Sequence, residues 1–441
     1  MKTEPTPMHT LADLRAGKLA GIRRLDLSCG LTEFPQEIFD LADTLEVLNL
    51  SGNALRDLPD DLHRLTRLHV LFGSDNAFTH LPECIGQCEQ LRIIGFKANR
   101  IRQVSASALP PRLRWLILTD NCIESLPDEL GRRPDLQKLM LAGNRLQSLP
   151  PTLADCHRLE LIRIAANRLT ELPEWLLQLP ALAWLAFADN PLCPEHEALP
   201  VRQIPWQHLS LGQRLGEGAS GVIQQAKWQD DGQAQTVAVK LYKGDVTSDG
   251  SPLNEMAVCI AAGRHAHLIE VLGQIAEHPE QQRGLVMELI APDFRNLASP
   301  PSLDSCSRDI YDADTRFSLP ELLRLATGIA SVTAHLHVCG ISHGDLYGHN
   351  ILVQENGNCL LGDFGAASFH PSESAGQALQ RLETRAFGIL LGELLERCEP
   401  SAEDSQIREG LEQLQKSCIQ PDCKRRPPLE EVCVKLQAWS A

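Results

Sequence analysis

No run of about 18 apolar residues occurs anywhere in the chain, so it holds no helix-length segment suited to a bilayer core. Met1-Lys-Thr-Glu-Pro-Thr-Pro7 lacks the apolar centre of a secretory signal, so none is expected in this stretch. Cys-x-x-Cys is absent, and the 14 cysteines are scattered without paired spacing. That pattern predicts reduced, buried thiols in a cytoplasmic protein rather than a disulfide framework. Basic residues are outnumbered: 41 Lys and Arg against 57 Asp and Glu leave a formal charge of −16. Such a balance argues against nucleic acid or an anionic membrane as the main partner. Gly-x-x-x-x-Gly-Lys-Ser/Thr is also missing, which removes a repeat-linked GTPase from consideration.

What is present is enough length for two or more cores: 441 residues, 43% apolar and 22% charged, a globular composition. The first half is periodic. Aligned on Leu-x-x-Leu-x-Leu-x-x-Asn-x-Leu-x-x-Leu-Pro, eight units start at Ile22, Leu45, Leu68, Leu91, Leu113, Leu136, Leu159 and Leu182, spaced by 23 residues with one gap of 22. Leu45, Leu48 and Leu50 typify the inward positions, which no unit can bury without its neighbours. Asn53, Asn76, Asn99, Asn121, Asn144, Asn167 and Asn190 recur in one slot, which Gly30 fills in the first unit. A buried amide there is expected to bond backbone groups of the next unit. Leu-Pro pairs such as Leu58-Pro59 and Leu149-Pro150 end each strand-and-turn and lead into a short convex segment.

These units, over about Ile22 to Cys193, resemble the leucine-rich repeat family. The resemblance implies a curved α/β solenoid of eight repeats with a parallel sheet, used for protein binding. Its concave face would carry Phe72, Ile93, Trp115, Ile117, Met140, Leu161 and Trp184, interleaved with Arg92, Arg114, Lys138 and Arg163. Aromatics among arginines suit a protein partner, a substrate or regulator seated on Phe72, Trp115, Met140 and Trp184. Packing of the same stripe against the chain's own second half is the other reading. Residues 1–21 read as a capping segment, with Thr10 as the N-cap of a short helix. Prolines 191, 194, 200 and 205 make 194–208 a stiff linker.

The second half opens with Gly216, Gly218 and Gly221 in Gly-x-Gly-x-x-Gly, followed by alternating residues from Ile223 to Trp228, a turn at Asp231-Gly232, and Thr236-Val-Ala-Val-Lys240. A second strand rather than a helix after the glycines speaks against a dinucleotide fold. A helix-forming run from Pro252 carries Glu255, and Gly284 to Ile290 reads as a buried strand. Leu322, Leu325, Ile329, Val332 and Leu336 keep helical spacing within 319–339. Next come His343-Gly-Asp345, Asn350 and Asp363-Phe-Gly365, an Asp, an Asn and an Asp at the spacing phosphoryl transfer uses.

From about residue 209 to 438 the chain resembles the eukaryotic-type protein kinase family, Ser/Thr-like, which implies a two-lobed α+β domain at 209–441 with a small lobe over 209–290 and a large lobe over 291–441. The resemblance implies ATP and Mg²⁺ as cofactors. Leu215, Gly216, Gly218, Gly221, Ile223, Ala238, Glu288 and Ile290 would frame the nucleotide, with Met287 behind the adenine. Lys240 would bind the α- and β-phosphates, held by Glu255 in preference to Glu270. Asp345 would accept the hydroxyl proton, and Asn350 and Asp363 would hold the metal.

Departures from the family pattern stand at Gly344, where relatives carry Arg, and at Tyr347, where serine/threonine kinases carry Lys. Ala-Pro-Glu is absent, which leaves Arg426 free or bonded to Glu393 or another acid. Glu383 replaces an Asp, and the activation segment shortens to Ala366–Leu382, with Ser368, Ser372 and Ser374 as polar or phosphorylatable positions. Residues 297–316 read as an exposed insertion. Two functions follow: a protein kinase whose repeats recruit its substrate or regulator, or a nucleotide-sensing pseudokinase switching a repeat scaffold. Phosphorylation of a small molecule also stays open, because the peptide-seating loop is short.

Overall fold

The computed structural model describes residues 9–194, 200–218, 220–230, 232–243, 247, 249–399 and 405–440. The first eight residues, most of 194–200 in the expected linker, and Asp231 of the expected turn lie outside the described residues. Backbone contacts divide the chain into two units, residues 1–163 with 167–179, and residues 164–166 with 180–441. The second unit therefore takes in the eighth repeat, whereas the repeat pattern alone placed the boundary after Cys193.

Helix α1 (Leu11–Arg15) starts at Thr10, whose side chain accepts the Asp13 N–H. Three-residue strands follow: β1 (Arg24–Asp26), β2 (Val47–Asn49), β3 (Val70–Phe72), β4 (Ile93–Gly95), β5 (Trp115–Ile117), β6 (Lys138–Met140), β7 (Leu161–Arg163) and, after the one-turn helix α2 (Glu174–Leu177), β8 (Trp184–Ala186). They run in chain order through a parallel sheet, as the period requires. Most Pro-led segments form 3₁₀ turns, among them Gln36–Leu41 and Pro151–Asp155. Leu45, Leu48 and Leu50 are buried.

The asparagine ladder is built, but it reaches backward. Nδ2 of Asn144 donates to Leu118 O at 2.9 Å and to Leu141 O at 3.0 Å, while its Oδ1 accepts the Ile123 N–H at 3.0 Å. Two of those partners belong to the preceding unit, correcting the expectation of bonds to the next. The residue before each asparagine has φ between 50° and 72°: Gly52, Asp75, Ala98, Asp120, Gly143, Ala166 and Asp189. Each turn closes through the left-handed region, a local strain repaid by the ladder.

In the second unit a six-stranded sheet has the order β10-β11-β12-β14-β13-β9, from β9 (Gln203–Pro205), β10 (Leu209–Glu217), β11 (Gly221–Asp230), β12 (Gln233–Tyr242), β13 (Val271–Ala276) and β14 (Gly284–Glu288). Helix α3 (Pro252–Ala261) packs beside it, with Met256 against Tyr242 and Leu285. Helix α4 (Leu319–Val338) buries its apolar stripe and begins in a capping box between Ser318 and Glu321. Small strands surround the loop that follows: β15 (Arg295–Asn296), β16 (Ile341–Ser342), β17 (Ile351–Val353), β18 (Cys359–Leu361) and β19 (Ser368–Phe369). Helices α5 (Glu373–Glu396), α6 (Ser405–Cys418) and α7 (Leu429–Ser440) complete the large lobe.

Three expectations change here. The segment after Gly365 is shorter than Ala366–Leu382, because α5 already begins at Glu373, with Ser372 as N-cap. Ser368 is buried in β19 and Ser374 lies within α5, so neither belongs to a free loop. The 297–316 insertion is packed rather than exposed: Leu297, Cys306, Ser307, Asp309 and Tyr311 are all buried. No described helix is long and apolar enough to cross a membrane.

Candidate active site

The glycine-rich hairpin lies on β10 and β11. Gly221 pairs with Tyr242, and a Cβ there would fall 2.5 Å from Leu241 O, so only glycine permits this approach. Gly216 and Gly218 have open space where a Cβ would stand, Leu215 is exposed and Ile223 half-buried. Ala238 on β12 is opposite Met287 on β14, and Val237 is opposite Glu288. Ile290 lies just beyond the end of β14. A cavity of about 620 Å³ is lined by Glu288, Ile290, Phe294 and Leu360, but by none of the hairpin residues, so it is not the cleft beneath the glycines.

Lys240 forms an ion pair with Glu255, while Glu270 pairs with Arg264. Position explains the choice: Ser251 caps α3 by accepting the Asn254 N–H, which sets the helix phase so that Glu255 is buried against β12. Burial alone would lower the Lys240 pKa. The charge and hydrogen bond of Glu255 outweigh that and raise it, with Asp363 adding to the rise.

Below, the β17–β18 hairpin pairs Ile351 with Leu361 and brings Asn350 beside Gly362, whose N–H donates to Asn350 O at 2.9 Å. Nδ2 of Asn350 donates to Oδ2 of Asp345 at 2.8 Å and to its backbone oxygen at 2.9 Å. That assignment turns the Asn350 amide oxygen away from Asp345. Asp363 sits at φ 52°, a strained region for a non-glycine, and its Oδ1 accepts the Gly365 N–H at 3.2 Å. His343 bridges to Gly362 O at 2.9 Å, with its ring 5.0 Å from that of Phe364.

A carboxylate of Asp363 and the amide oxygen of Asn350 are hard oxygen donors. Mg²⁺ takes one or two such protein ligands and completes its shell with phosphate and water, so the donor set fits the ion.

Several supports escaped the sequence reading. Glu383 on α5 accepts the Gly344 N–H at 2.8 Å and the His337 Nε2 bond at 2.7 Å. Asp309, from the packed insertion, holds both the Nδ1 and the backbone N–H of His349, at 2.7 and 2.9 Å. Burial pushes the His349 pKa down; Asp309 first, then the charges of Asp345 and Asp363, raise it overall. Tyr347 is buried, stacked on Trp184 with ring centres 4.1 Å apart. The concave-face expectation is thus corrected at Trp184, which is 1% exposed and not open to a partner, whereas Phe72, Trp115 and Met140 are half-buried. Arg426 is neither free nor bonded to Glu393: it donates to the carbonyls of Gln420, Arg381 and Pro180.

The glycine-rich hairpin, the Lys240–Glu255 pair and the Asn350–Asp345 bond ahead of Asp363-Phe-Gly365 are the arrangement of the protein-kinase class. Residues 209–386 match the family described as protein tyrosine and serine/threonine kinase, and residues 44–65 and 134–192 match leucine-rich repeat families. The chain is a leucine-rich repeat array fused to a protein kinase domain. Serine/threonine-protein kinase A-Raf of Homo sapiens is 27% identical over 182 residues, 41% of this chain and 27% of that protein. Megakaryocyte-associated tyrosine-protein kinase of Mus musculus is 28% identical over 268 residues, covering 52% of this chain and 49% of that protein. Cyclin-dependent kinase 11.1 of Caenorhabditis elegans is 29% identical over 157 residues, 35% of this chain and 20% of that protein. The chain thus spans half or less of the length of these relatives.

Proposed function

We propose that the protein is an ATP-dependent kinase that transfers the γ-phosphate to a protein hydroxyl, serine or threonine in the first instance. The observation that carries this reading is the Asn350–Asp345 bond of 2.8 Å, made while Lys240 and Glu255 are paired above it. In such an arrangement Lys240 binds the α- and β-phosphates and Glu255 keeps its ammonium in place. Asp345, oriented by Asn350, accepts the proton of the attacking hydroxyl. Asn350 and Asp363 would hold Mg²⁺, which when bound neutralises and orients the phosphates. The repeats recruit the substrate or a regulator through Phe72, Trp115 and Met140, and the cysteine pattern favours the cytoplasm.

A second reading is favoured by one observation: Tyr347 is buried under Trp184, so no cation extends from that position toward a γ-phosphate. On that reading the domain binds nucleotide without transfer and switches the repeat scaffold.

Incorporation of labelled phosphate separates the two. Asp345→Asn is expected to reduce transfer by about 10²–10⁴-fold, the contribution of a positioned general base, with nucleotide binding retained. Lys240→Met is expected to abolish transfer with the fold intact. Wild-type protein that binds Mg-ATP but transfers nothing would support the scaffold reading instead.

A further inference from the structure

The two departures nearest the catalytic aspartate, Gly344 and Tyr347, meet the same structural element. Gly344 has φ 71°, and a Cβ there would lie 2.8 Å from Leu185 O and 2.6 Å from Ala366 O. Tyr347 stacks on Trp184 with ring planes 8° apart. Between them, the Trp184 indole N–H donates to Leu346 O at 3.0 Å. The backbone just after Asp345 is therefore bonded by β8 of the eighth repeat, and the residue just before it lies close against the same strand.

The same repeat reaches the other parts of the site. The Phe187 N–H donates to Ser368 Oγ at 3.3 Å, on the short segment that follows Asp363-Phe-Gly365. Asp189 accepts the N–H of Ser251 at 3.1 Å, and Ser251 is the N-cap of the helix that carries Glu255. Asn254 in that helix donates to Ala367 O at 2.7 Å, which closes the circuit. Arg385 and Arg426 fasten the beginning of the repeat by donating to Ala181 O at 3.0 Å and Pro180 O at 2.9 Å. A larger residue at 344 would strike the Leu185 carbonyl, so the glycine matches the presence of the repeat.

We infer that the eighth repeat is a working part of the catalytic apparatus, in which Trp184 is a positioning residue for the loop bearing Asp345; this rests on the phosphotransfer reading above. The repeat holds the loop and the Glu255 helix in register through hydrogen bonds and one aromatic stack. Gly344 and Tyr347 are then the receiving surface for Trp184 and Leu185, and their presence is no sign of a decayed enzyme.

The test uses the full chain with Mg-ATP as the probe, following phosphate release to water and incorporation into a random Ser/Thr/Tyr peptide pool. A catalytic group misplaced by about 1 Å costs about 10²-fold, so Trp184→Ala is expected to lower kcat by that order while KM for ATP stays within about twofold. Trp184→Phe, which keeps a ring to stack on Tyr347 but lacks the indole N–H and the second ring, is expected to restore part of the loss. Gly344→Ala perturbs the same contact from the opposite side and is expected to act like Trp184→Ala. Wild-type kcat in both Trp184→Ala and Gly344→Ala overturns the inference, as does an equal loss in Trp184→Phe and Trp184→Ala. Should the wild type itself turn over no ATP, the phosphotransfer reading has failed, and amide exchange over residues 341–353 decides the positioning claim separately. Exchange about tenfold faster in Trp184→Ala supports it, and unchanged exchange overturns it.

Discussion

His337 and Glu383 form a buried pair, Nε2 to Oε2 at 2.7 Å, and the other Glu383 oxygen accepts the N–H of Gly344 at 2.8 Å. One carboxylate thus ties two helices to the backbone just before Asp345. Burial pushes this carboxyl up, yet the His337 hydrogen bond and charge, the charge of His343 and the Gly344 N–H together hold it below its usual range. A lowered carboxyl pKa stabilises the fold above its unfolded value of about 4.3 and loses that contribution as pH falls through the folded value. Glu383→Ala is expected to cost about 3–5 kcal/mol in urea unfolding at pH 7, the range for breaking a buried pair. Wild type and Glu383→Gln should converge in stability only as pH falls through that lowered folded value. A pH-independent gap between them would contradict this account.

Glu393 behaves in the opposite sense. Burial first, then the charge of Asp309, push its pKa up to about 7, against smaller pulls from Tyr311, Arg308 and Arg397. Tyr311 Oη donates to it at 3.0 Å. A raised carboxyl pKa gives stability that is full below the unfolded value and lost as pH rises through the folded one. Glu393→Gln is therefore expected to be near neutral at pH 4 and to stabilise the protein by about 1–3 kcal/mol at pH 8. Thermal melts at the two pH values measure the difference directly.

Arg426 is fully buried and its three donors serve three carbonyls, at 2.7 Å to Gln420, 3.3 Å to Arg381 and 2.9 Å to Pro180. Truncation leaves those acceptors unsatisfied and a cavity behind. Arg426→Ala is expected to destabilise the second unit by about 3 kcal/mol or more, and Arg426→Lys to recover only part, because an ammonium cannot span the same fork. Denaturant midpoints of the full-length variants are the measurement, and equal midpoints for Lys and wild type would refute the fork argument.

In the repeats, Asn144 satisfies two carbonyls and one N–H across adjacent units. Asn144→Ala is expected to cost about 1–3 kcal/mol, the penalty of stranding buried backbone groups. Because each repeat touches only its neighbours, hydrogen exchange should quicken in units starting at Leu113 and Leu136 and fade with distance along the array.

Much of the architecture was legible because it repeats or because its chemistry demands fixed spacing. The leucines and asparagines announce their period, and a Pro-led run placed Glu255 on a helix against Lys240. Position along the chain could not reveal what a side chain meets far away. Trp184 reads as one more concave-face aromatic, since strand alternation tells which way it points but not that Tyr347 waits there. Asp309 was hidden in a Ser- and Pro-rich stretch whose composition suggested solvent, although its carboxylate is buried on His349. His337 carries no signal of its own in the sequence. Its role depends on Glu383, 46 residues later. The start of α5 was missed because Ser372 caps it from a polar run that reads equally well as loop.

The line between Leu179 and Pro180 has a practical corollary for anyone recombining such chains. Upstream of Leu159, where the unit carrying residues 164–166 of the second unit begins, whole 23-residue modules can be added, removed or replaced by those of another array, and the exchange should alter only what is captured. A splice placed after Cys193 instead, where the repeat motif itself ends, would carry off Trp184, Phe187 and Asp189. The resulting chimera would have a complete set of signature residues and an unsupported cleft.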